Sequence, residues 1–379
     1  MTGAPAAGPR LSDRQRLHWL RLIRTDNVGP ATFRDLINRC GSAEAALAML
    51  PELAMRGGAL RGVRVVTQDE AERELETAHR LGARFVAIGE PDYPAMLRRM
   101  ELPPPLIAVK GRDTALAMPA VSIVGSRNAS LAGVRMARVL ASELGQAGYA
   151  IVSGLARGID AASHQASLDT GTVAVLAGGI DRPYPPENQK LCAEIAERGA
   201  LLSEMPFGGE PRARDFPRRN RLVAGLGLGL VVVEAAQRSG SLISARLANE
   251  MGRLVFAVPG SPLDPRAAGT NGLLKDGAIM VTETRDILDV VATQTSAREA
   301  RPSSAMEEPS SFDGTLPPPE KDERNRVVAA LGPVPVHVDE VIRHARVSAS
   351  QLATILLELD LAGRLERHAG GAVSLVLDT

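Results

Sequence analysis

Residues 120–128 read AVSIVGSRN and residues 149–160 read YAIVSGLARGID. Each stretch begins with a short, almost wholly apolar run and continues into a turn of small and polar residues. Such runs suit strands that are buried on both faces, and strands of this kind pair in parallel through helical crossovers. The two stretches therefore predict an open α/β sheet.

The same pattern recurs from about residue 105 to residue 292, with helical periods between the apolar runs. The runs cover residues 120–124, 149–152, 173–176, 200–202, 228–233, 254–258 and 279–281. They predict a Rossmann-like open parallel sheet within a domain of residues 81–292. Ligands of such sheets bind outside the carboxyl ends of the strands, so the residues that follow each run are candidates for a site.

Three further segments flank this domain. Residues 11–80 predict a small helical domain, in which the turn Asn27-Val28-Gly29-Pro30 resembles a helix-hairpin-helix. Such a turn can present backbone N–H groups to a phosphate, although a purely structural helical domain is the alternative. Residues 293–320 are rich in Ser, Pro and charge and predict a flexible linker. Residues 321–379 predict three helices and a small hairpin, the pattern of a winged helix-turn-helix.

Composition narrows the class of protein. The 44 basic and 44 acidic residues cancel, so net charge favours neither nucleic acid nor membrane, and any binding patch must be local. Cys40 and Cys192 lack the spacing of a disulfide framework or a zinc site. No signal peptide and no apolar run of about 18 residues is present. We expect a cytoplasmic protein without metal or cofactor.

The first two strand ends carry candidate phosphate contacts. Gly125-Ser126-Arg127 lies between an apolar run and a helix, where backbone N–H groups and the helix dipole favour an anion. Ser153-Gly154 and Arg157 follow the second run. Ser153, Asp160 and His164 also invite a catalytic interpretation, but the chain lacks a Gly-x-Ser-x-Gly elbow, and a Ser in a Gly-rich turn more often caps a helix or holds a phosphate.

The densest positive charge follows the fourth run. Its arginines surround Phe216, and clustered guanidinium groups beside a ring are typical of single-stranded nucleic-acid sites. Small polar residues also follow the fifth run. The predicted DNA- or phosphate-binding residues are Gly125, Ser126, Arg127, Ser153, Gly154, Arg157, Phe216, Arg218, Arg219, Asn220, Arg221, Ser239 and Gly240.

Several enzyme motifs are missing. No Gly-Lys dipeptide exists, so there is no P-loop, and His-Glu-x-x-His does not occur. Gly225-x-Gly227-x-Gly229 precedes a strand instead of following one, which does not fit a dinucleotide-binding turn.

Taken together, the motifs resemble the DNA-processing protein A (DprA, also called Smf) family of bacteria. They occur in family order between residues 124 and 278 and comprise Val124-Gly-Ser-Arg127, Ser153-Gly-Leu-Ala-Arg-Gly-Ile-Asp160, His164, Tyr184-Pro185, Asn188, Ser203-Glu204, Phe216-Pro-Arg-Arg-Asn-Arg221, Val233-Glu234-Ala235, Ser239-Gly-Ser241, Pro259-Gly260, Gly269-Thr-Asn-Gly272 and Gly277-Ala278.

The resemblance implies a non-catalytic protein that binds and protects single-stranded DNA and helps load the recombinase RecA in natural transformation. It also implies a homodimer formed through the Rossmann-like domain. The Gly125–Arg127 turn, Arg218, Arg219 and Arg221 would face phosphates, and Phe216 would stack if its ring faces the groove. One departure is Glu187, because relatives often carry Lys or Arg in that segment.

Two other classes stay open. A Rossmann-like nucleotide phosphoribohydrolase would use Glu234 as acid or base with Arg221, although the Pro-Gly-Gly-x-Gly-Thr turn of that group is absent. A transcription regulator with a ligand-sensing α/β domain would use the C-terminal domain. Its presumed recognition helix, Val347 to Gly363, contains no Lys or Arg and carries Glu358 and Asp360, which predicts protein contact instead of duplex reading.

Overall fold

The computed structural model describes residues 10–59, 62–298 and 319–376, which form two compact units. The first unit contains residue 10 and residues 74–298, and the second joins residues 11–73 to residues 319–376. In the described part of the chain, no helix combines the length and the apolar character needed to span a membrane.

A nine-stranded sheet runs through the first unit in the order β1-β2-β6-β5-β4-β3-β7-β8-β9. The strands are β1 Ala83–Ala87, β2 Leu106–Gly111, β3 Ala120–Gly125, β4 Ala150–Ser153, β5 Thr172–Val175, β6 Ala200–Ser203, β7 Gly229–Val233, β8 Leu254–Ala257 and β9 Ile279–Met280. Strands β3 to β9 pair in parallel, whereas β1 and β2 pair with each other, and β2 pairs with β6, in antiparallel register.

All seven predicted runs form strands, which confirms the Rossmann-like prediction. The chain proceeds from β3 through β4 and β5 to β6 on one side and through β7 to β9 on the other. The topological switch point therefore lies between β3 and β7. Strands β1 and β2 were missed because they precede the regular alternation of strand and helix and extend the sheet antiparallel.

Helices surround the sheet in the first unit. They are α5 Ala95–Arg98, α6 Asp113–Ala117, α7 Leu131–Gln146, α8 Ile159–Ser167, α9 Gln189–Arg198, α10 Asp215–Leu226, α11 Gly240–Glu250, α12 Ala268–Lys275 and α13 Arg285–Arg298. Helix α4, Gln68–Arg80, crosses the boundary between the units. Helix α13 continues six residues into the predicted linker of residues 293–320, and residues 299–318 of that linker lie outside the described residues.

The second unit combines the two ends of the chain. Its elements are α1 Asp13–Arg24, α2 Pro30–Cys40, α3 Ala43–Arg56, α14 Lys321–Ala330, β10 Val336–His337, α15 Val338–Ala345, α16 Ala349–Leu361, β11 Leu365–His368 and β12 Ala372–Leu375. Helices α14 to α16 and the sheet β10-β12-β11 form the predicted winged helix. In the N-terminal helices, the rings of Trp19 and Phe33 pack edge to face with centroids 5.0 Å apart.

Helix α7 shows how the sheet of the first unit is covered. Leu140 is fully buried in the core cluster with Ile123, Ile151 and Val231, whereas the neighbouring Val139 is 41% exposed. Adjacent helical residues point about 100° apart, so one faces the sheet and the other faces solvent.

We expect Leu140→Ala to lower the free energy of unfolding by about 2–5 kcal/mol, because it removes buried methyl groups and leaves a cavity. The matched control, Val139→Ala, should change it by less than about 1 kcal/mol. Urea denaturation followed by circular dichroism measures both values. An equal loss of unfolding free energy in the two variants would contradict the placement of α7.

Candidate nucleic-acid interface

The loops that follow β3 and β4 lie against each other at the carboxyl edge of the sheet. The N–H of Ile159 donates to the carbonyl of Ser126 at 3.2 Å. Gly158 has a φ of 74°, and a Cβ at this position would overlap the carbonyls of Ser126 and Arg127. The structure thus brings the predicted Gly125–Arg127 turn next to the Gly154–Arg157 loop, and both Arg127 and Arg157 are exposed.

A buried polar cluster supports the second of these loops. Ser153 is fully buried, and its hydroxyl donates to the carbonyl of Ile123 at 2.6 Å. One carboxylate oxygen of Asp160 accepts the N–H groups of Gly154 at 3.2 Å and Ala156 at 3.3 Å. Desolvation raises the pKa of Asp160, and the guanidinium of Arg219, 3.9 Å away, opposes that rise. These groups hold the loop from inside.

His164 belongs to the same buried cluster. Its Nδ1 lies 2.7 Å from the Thr172 hydroxyl, and burial, assisted by the charge of Arg219, lowers the pKa of His164 to about 3. The imidazole is therefore neutral at pH 7. Because Ser153 is enclosed and donates to a main-chain carbonyl, the arrangement does not present a nucleophile with its base to a substrate.

The predicted arginine cluster divides into enclosed and exposed members. Arg219 is 6% exposed and faces Asp160 across Gly154, where a Cβ would overlap its guanidinium. Arg221 donates to the carbonyl of Leu102 at 3.0 Å and pairs with Glu204. We predicted that the guanidinium groups of Arg219 and Arg221 face the groove. In the structure, each of them is paired with a carboxylate of the chain itself.

Arg218 has the more open position. Its side chain is 49% exposed, and its Nε lies 3.4 Å from the carboxylate of Glu204. Arg218 and Arg219 are consecutive residues of α10, so they point about 100° apart. Which of the two faces inward depends on the residue at which α10 begins, and the sequence pattern did not define that residue.

Phe216, which is itself partly buried, lies between two exposed side chains. The guanidinium carbon of Arg127 lies 5.3 Å from the centroid of the Phe216 ring. The rings of Tyr184 and Phe216 pack edge to face with their centroids 5.7 Å apart. Tyr184 is 48% exposed. We call Arg127, Phe216 and Tyr184 the cation–aromatic row. Sequence reasoning missed Tyr184 as a site residue, although it is one of only three tyrosines in the chain.

Glu187, three residues after Tyr184, forms an ion pair with Arg157. Arg157 Nη1 is 3.5 Å from the Glu187 carboxylate, and both side chains are more than half exposed. The acidic residue that departs from the family pattern therefore neutralises one of the predicted phosphate contacts.

The N-terminus of α7, where we expected an anion, holds a carboxylate of the chain itself. Glu234 accepts the N–H of Ser130 at 2.8 Å and also the Ser130 hydroxyl. A Cβ at Gly133 would overlap this carboxylate, so the glycine makes room for it. The Gly125–Arg127 turn consequently offers the Arg127 guanidinium instead of a free helix terminus. Glu234 and Arg221, the residues of the phosphoribohydrolase alternative, are both engaged elsewhere.

The remaining predicted residues join α10 to α11. Ser239 caps α11 by accepting the N–H of Ser241 at 3.3 Å, and the Asn220 amide donates to the carbonyl of Gly240 at 3.4 Å. Gly240 is exposed. Within residues 10–59, 62–298 and 319–376, no group of three His, Cys, Asp or Glu residues is placed to hold a metal ion.

These features define a Rossmann-like domain flanked by a small helical domain and a winged helix, with a cationic, aromatic surface at the carboxyl edge. Comparison with protein families gives matching results for all three parts. The chain matches DNA recombination-mediator protein A over residues 84–292, the DprA-like N-terminal HHH domain over residues 13–77 and the DprA winged helix domain over residues 313–371.

Individual relatives agree. Protein Smf of Escherichia coli (strain K12) is 40% identical over 286 residues, which cover 75% of each chain. The X-ray structure of DprA from Streptococcus pneumoniae aligns with a TM-score of 0.60 and 30% identity over 74% of this chain and 98% of that one. DprA from Helicobacter pylori, in a structure that concerns its single-stranded DNA binding mode, aligns with a TM-score of 0.52 and 29% identity over 56% and 96%. The chain belongs to the DprA/Smf family.

The low pKa of His164 predicts an acid-sensitive fold. Below about pH 6.5 an unfolded histidine takes up a proton, whereas the buried one stays neutral down to about pH 3. The free energy of unfolding should therefore fall as the pH is lowered from 7 to 5, by at most about 1.4 kcal/mol per pH unit from this residue.

Urea denaturation at pH 7, 6 and 5 measures that slope, and His164→Asn is the control. Asp160, whose raised pKa acts in the opposite direction, is present in both proteins, so the difference between them isolates His164. If the free energy of unfolding changed equally with pH in both proteins, the assignment of a buried neutral imidazole would be wrong.

Proposed function

We propose that this chain is a non-catalytic single-stranded DNA-binding protein of DNA recombination and natural transformation. The observation that carries the proposal is the cation–aromatic row at the carboxyl edge of the sheet. A guanidinium held against the partly buried ring of Phe216, beside the exposed ring of Tyr184, offers phosphate contact and base stacking in one place.

The exposed guanidinium groups set where the backbone of the DNA runs. Arg127, Arg157 and Arg218 are exposed at the ends of the loops after β3 and β4 and at the start of α10, and Arg212 and Arg214 are exposed just before α10. Arg219 and Arg221 act as positioning residues in this proposal, because they are held by Asp160 and Glu204. Binding would be largely independent of base sequence, since a stacking ring accepts any base.

The burial and hydrogen bonding of the candidate catalytic groups support a non-catalytic role. Ser153 and His164 are buried, and Glu234 is held at the N-terminus of α7. By family resemblance, the proposal extends to protection of single-stranded DNA in the cytoplasm, delivery of that DNA to the recombinase RecA and action as a homodimer.

We expect Arg127→Ala and Arg218→Ala each to weaken binding of a fluorescent oligo-dT, because each removes a charge-assisted contact that typically contributes about 1.5–3 kcal/mol. Arg246→Ala is the matched control. Arg246 is an exposed arginine on α11 that is likewise paired with a carboxylate, that of Glu250 at 3.6 Å. Fluorescence anisotropy measures the Kd values.

With about four phosphate contacts, log K should also fall against log salt with a slope near −3. Unchanged affinity in both site variants with unchanged melting temperature, or a flat salt dependence, would place the DNA elsewhere. A Glu234-dependent release of base from AMP would favour the phosphoribohydrolase alternative instead.

Glu187→Gln should strengthen binding of the same oligonucleotide. The substitution releases Arg157 from its ion pair and removes a negative charge from the surface, and exposed pairs of this kind are worth about 0.2–1 kcal/mol. We therefore expect roughly a two- to fivefold lower Kd at low salt, with the gain lost at high salt. Glu250→Gln, which breaks the comparable pair with Arg246, should leave the Kd unchanged. A higher Kd for Glu187→Gln would show that Arg157 does not contact DNA.

A further inference from the structure

Helix α16, the presumed recognition helix of the winged helix, is enclosed on more than one side. Leu352, Ile355, Leu356 and Leu359 pack into the core of the winged helix itself. Thr354, Leu357, Glu358 and Leu361 are also buried, at 5% exposure or less. A recognition helix that reads DNA keeps its outer face open for the major groove.

The N-terminal helices α2 and α3 cover that outer face. The Asn27 amide donates to the carbonyl of Leu361 at 3.0 Å, and the Thr32 hydroxyl donates to the carboxylate of Asp360 at 2.8 Å. Arg39 on α2 donates to the Thr354 hydroxyl. Three polar side chains of the N-terminal domain thus bond to α16, one near its middle and two at its C-terminal end.

Gly57, just after α3, brings the two backbones into contact. Its φ is −71°, so nothing in its own conformation calls for glycine, yet a Cβ here would overlap the main-chain carbonyl of Glu358. Arg364 closes the contact from the other side by donating to the carbonyl of Gly57 at 3.0 Å. The close approach of α16 therefore explains why position 57 is a glycine.

The acidic residues of α16 are neutralised within the unit. Arg324 holds both carboxylate oxygens of Glu358, at 2.6 and 2.9 Å. Arg367 bridges Asp360 on α16 and Asp35 on α2, at 3.0 Å to each. Carboxylates that would repel a DNA groove serve here as acceptors between protein segments.

We propose that α16 is an intramolecular docking helix whose partner is the N-terminal helical domain of the same chain, in the position where a winged helix receives duplex DNA. Asp360 is also bonded to Thr32 in the first turn of α2, which places a carboxylate beside the Asn27–Pro30 turn, where a helix-hairpin-helix would receive a phosphate. The two elements with a DNA-binding pattern in this unit thus contact each other, and the unit is a protein-contact module. This inference does not depend on the single-stranded DNA site of the other unit.

The test uses the full-length protein with Gly57→Ala, which places a Cβ against the backbone of α16. The matched control is Gly29→Ala, at a position with no atom within 4 Å of the added Cβ. Hydrogen exchange followed by mass spectrometry reports on the amides of residues 349–361. We expect exchange in α16 to accelerate by about tenfold or more in Gly57→Ala, as a local opening that becomes easier predicts, and to stay unchanged in Gly29→Ala.

Arg364→Ala provides a second variant in case Gly57→Ala unfolds the unit, because it removes one contact without adding an atom. It should also accelerate exchange in α16, and neither variant should bind a 20-base-pair duplex more tightly than the parent. Unchanged exchange in folded Arg364→Ala would overturn the docking role. Duplex affinity raised about tenfold or more in either variant would overturn it as well, since α16 would then be a masked DNA reader.

Discussion

The buried pair of Asp160 and Arg219 fixes the geometry on which the proposed DNA site depends. Both side chains are less than a tenth exposed, and removing two charges from water costs several kcal/mol for each ion. Each charge is tolerated only because the other is present and because Asp160 also accepts two main-chain N–H groups. The pair links the loop after β4 to the first turns of α10. Phe216 and Arg218 occupy those same turns, so the position of the cation–aromatic row depends on this buried pair.

The same pair accounts for the division of the arginine cluster into enclosed and exposed side chains. On α10, Arg219 points inward to Asp160, while Arg218 remains half exposed and Arg221 reaches Glu204. A helix whose successive residues point about 100° apart separates neighbouring arginines into an enclosed group and an exposed group. The sequence shows the cluster but not its partners, because Asp160 and Glu204 come from other strand ends and reach the cluster only through the fold.

Local patterns predicted most of the fold. Apolar runs located the seven parallel strands, and helical periods predicted the three helices of the winged helix. The antiparallel strands β1 and β2 and the continuation of α13 to residue 298 were missed, because neither follows from the repeating unit of strand and helix. For the candidate site, the sequence indicated which loops lie at the carboxyl edge of the sheet but not the burial of Arg219, the exposed ring of Tyr184 or the carboxylate of Glu234 at α7. Each of these depends on packing between segments that are distant in sequence.

Charge pairing accounts for how a chain with no net charge can present a cationic surface. Asp160 and Glu204 are enclosed and offset Arg219 and Arg221, so those four groups contribute little beyond their immediate surroundings. Arg127, Arg218 and the arginines just before α10 remain at the surface, and the exposed acid Glu187 is paired with Arg157. At physiological ionic strength charges are screened over about 8 Å, so the distant acids of a neutral chain do not cancel this local excess. In the proposed site, attraction to a polyanion therefore acts at short range, and the rings of Phe216 and Tyr184 lie within that range beside the guanidinium of Arg127.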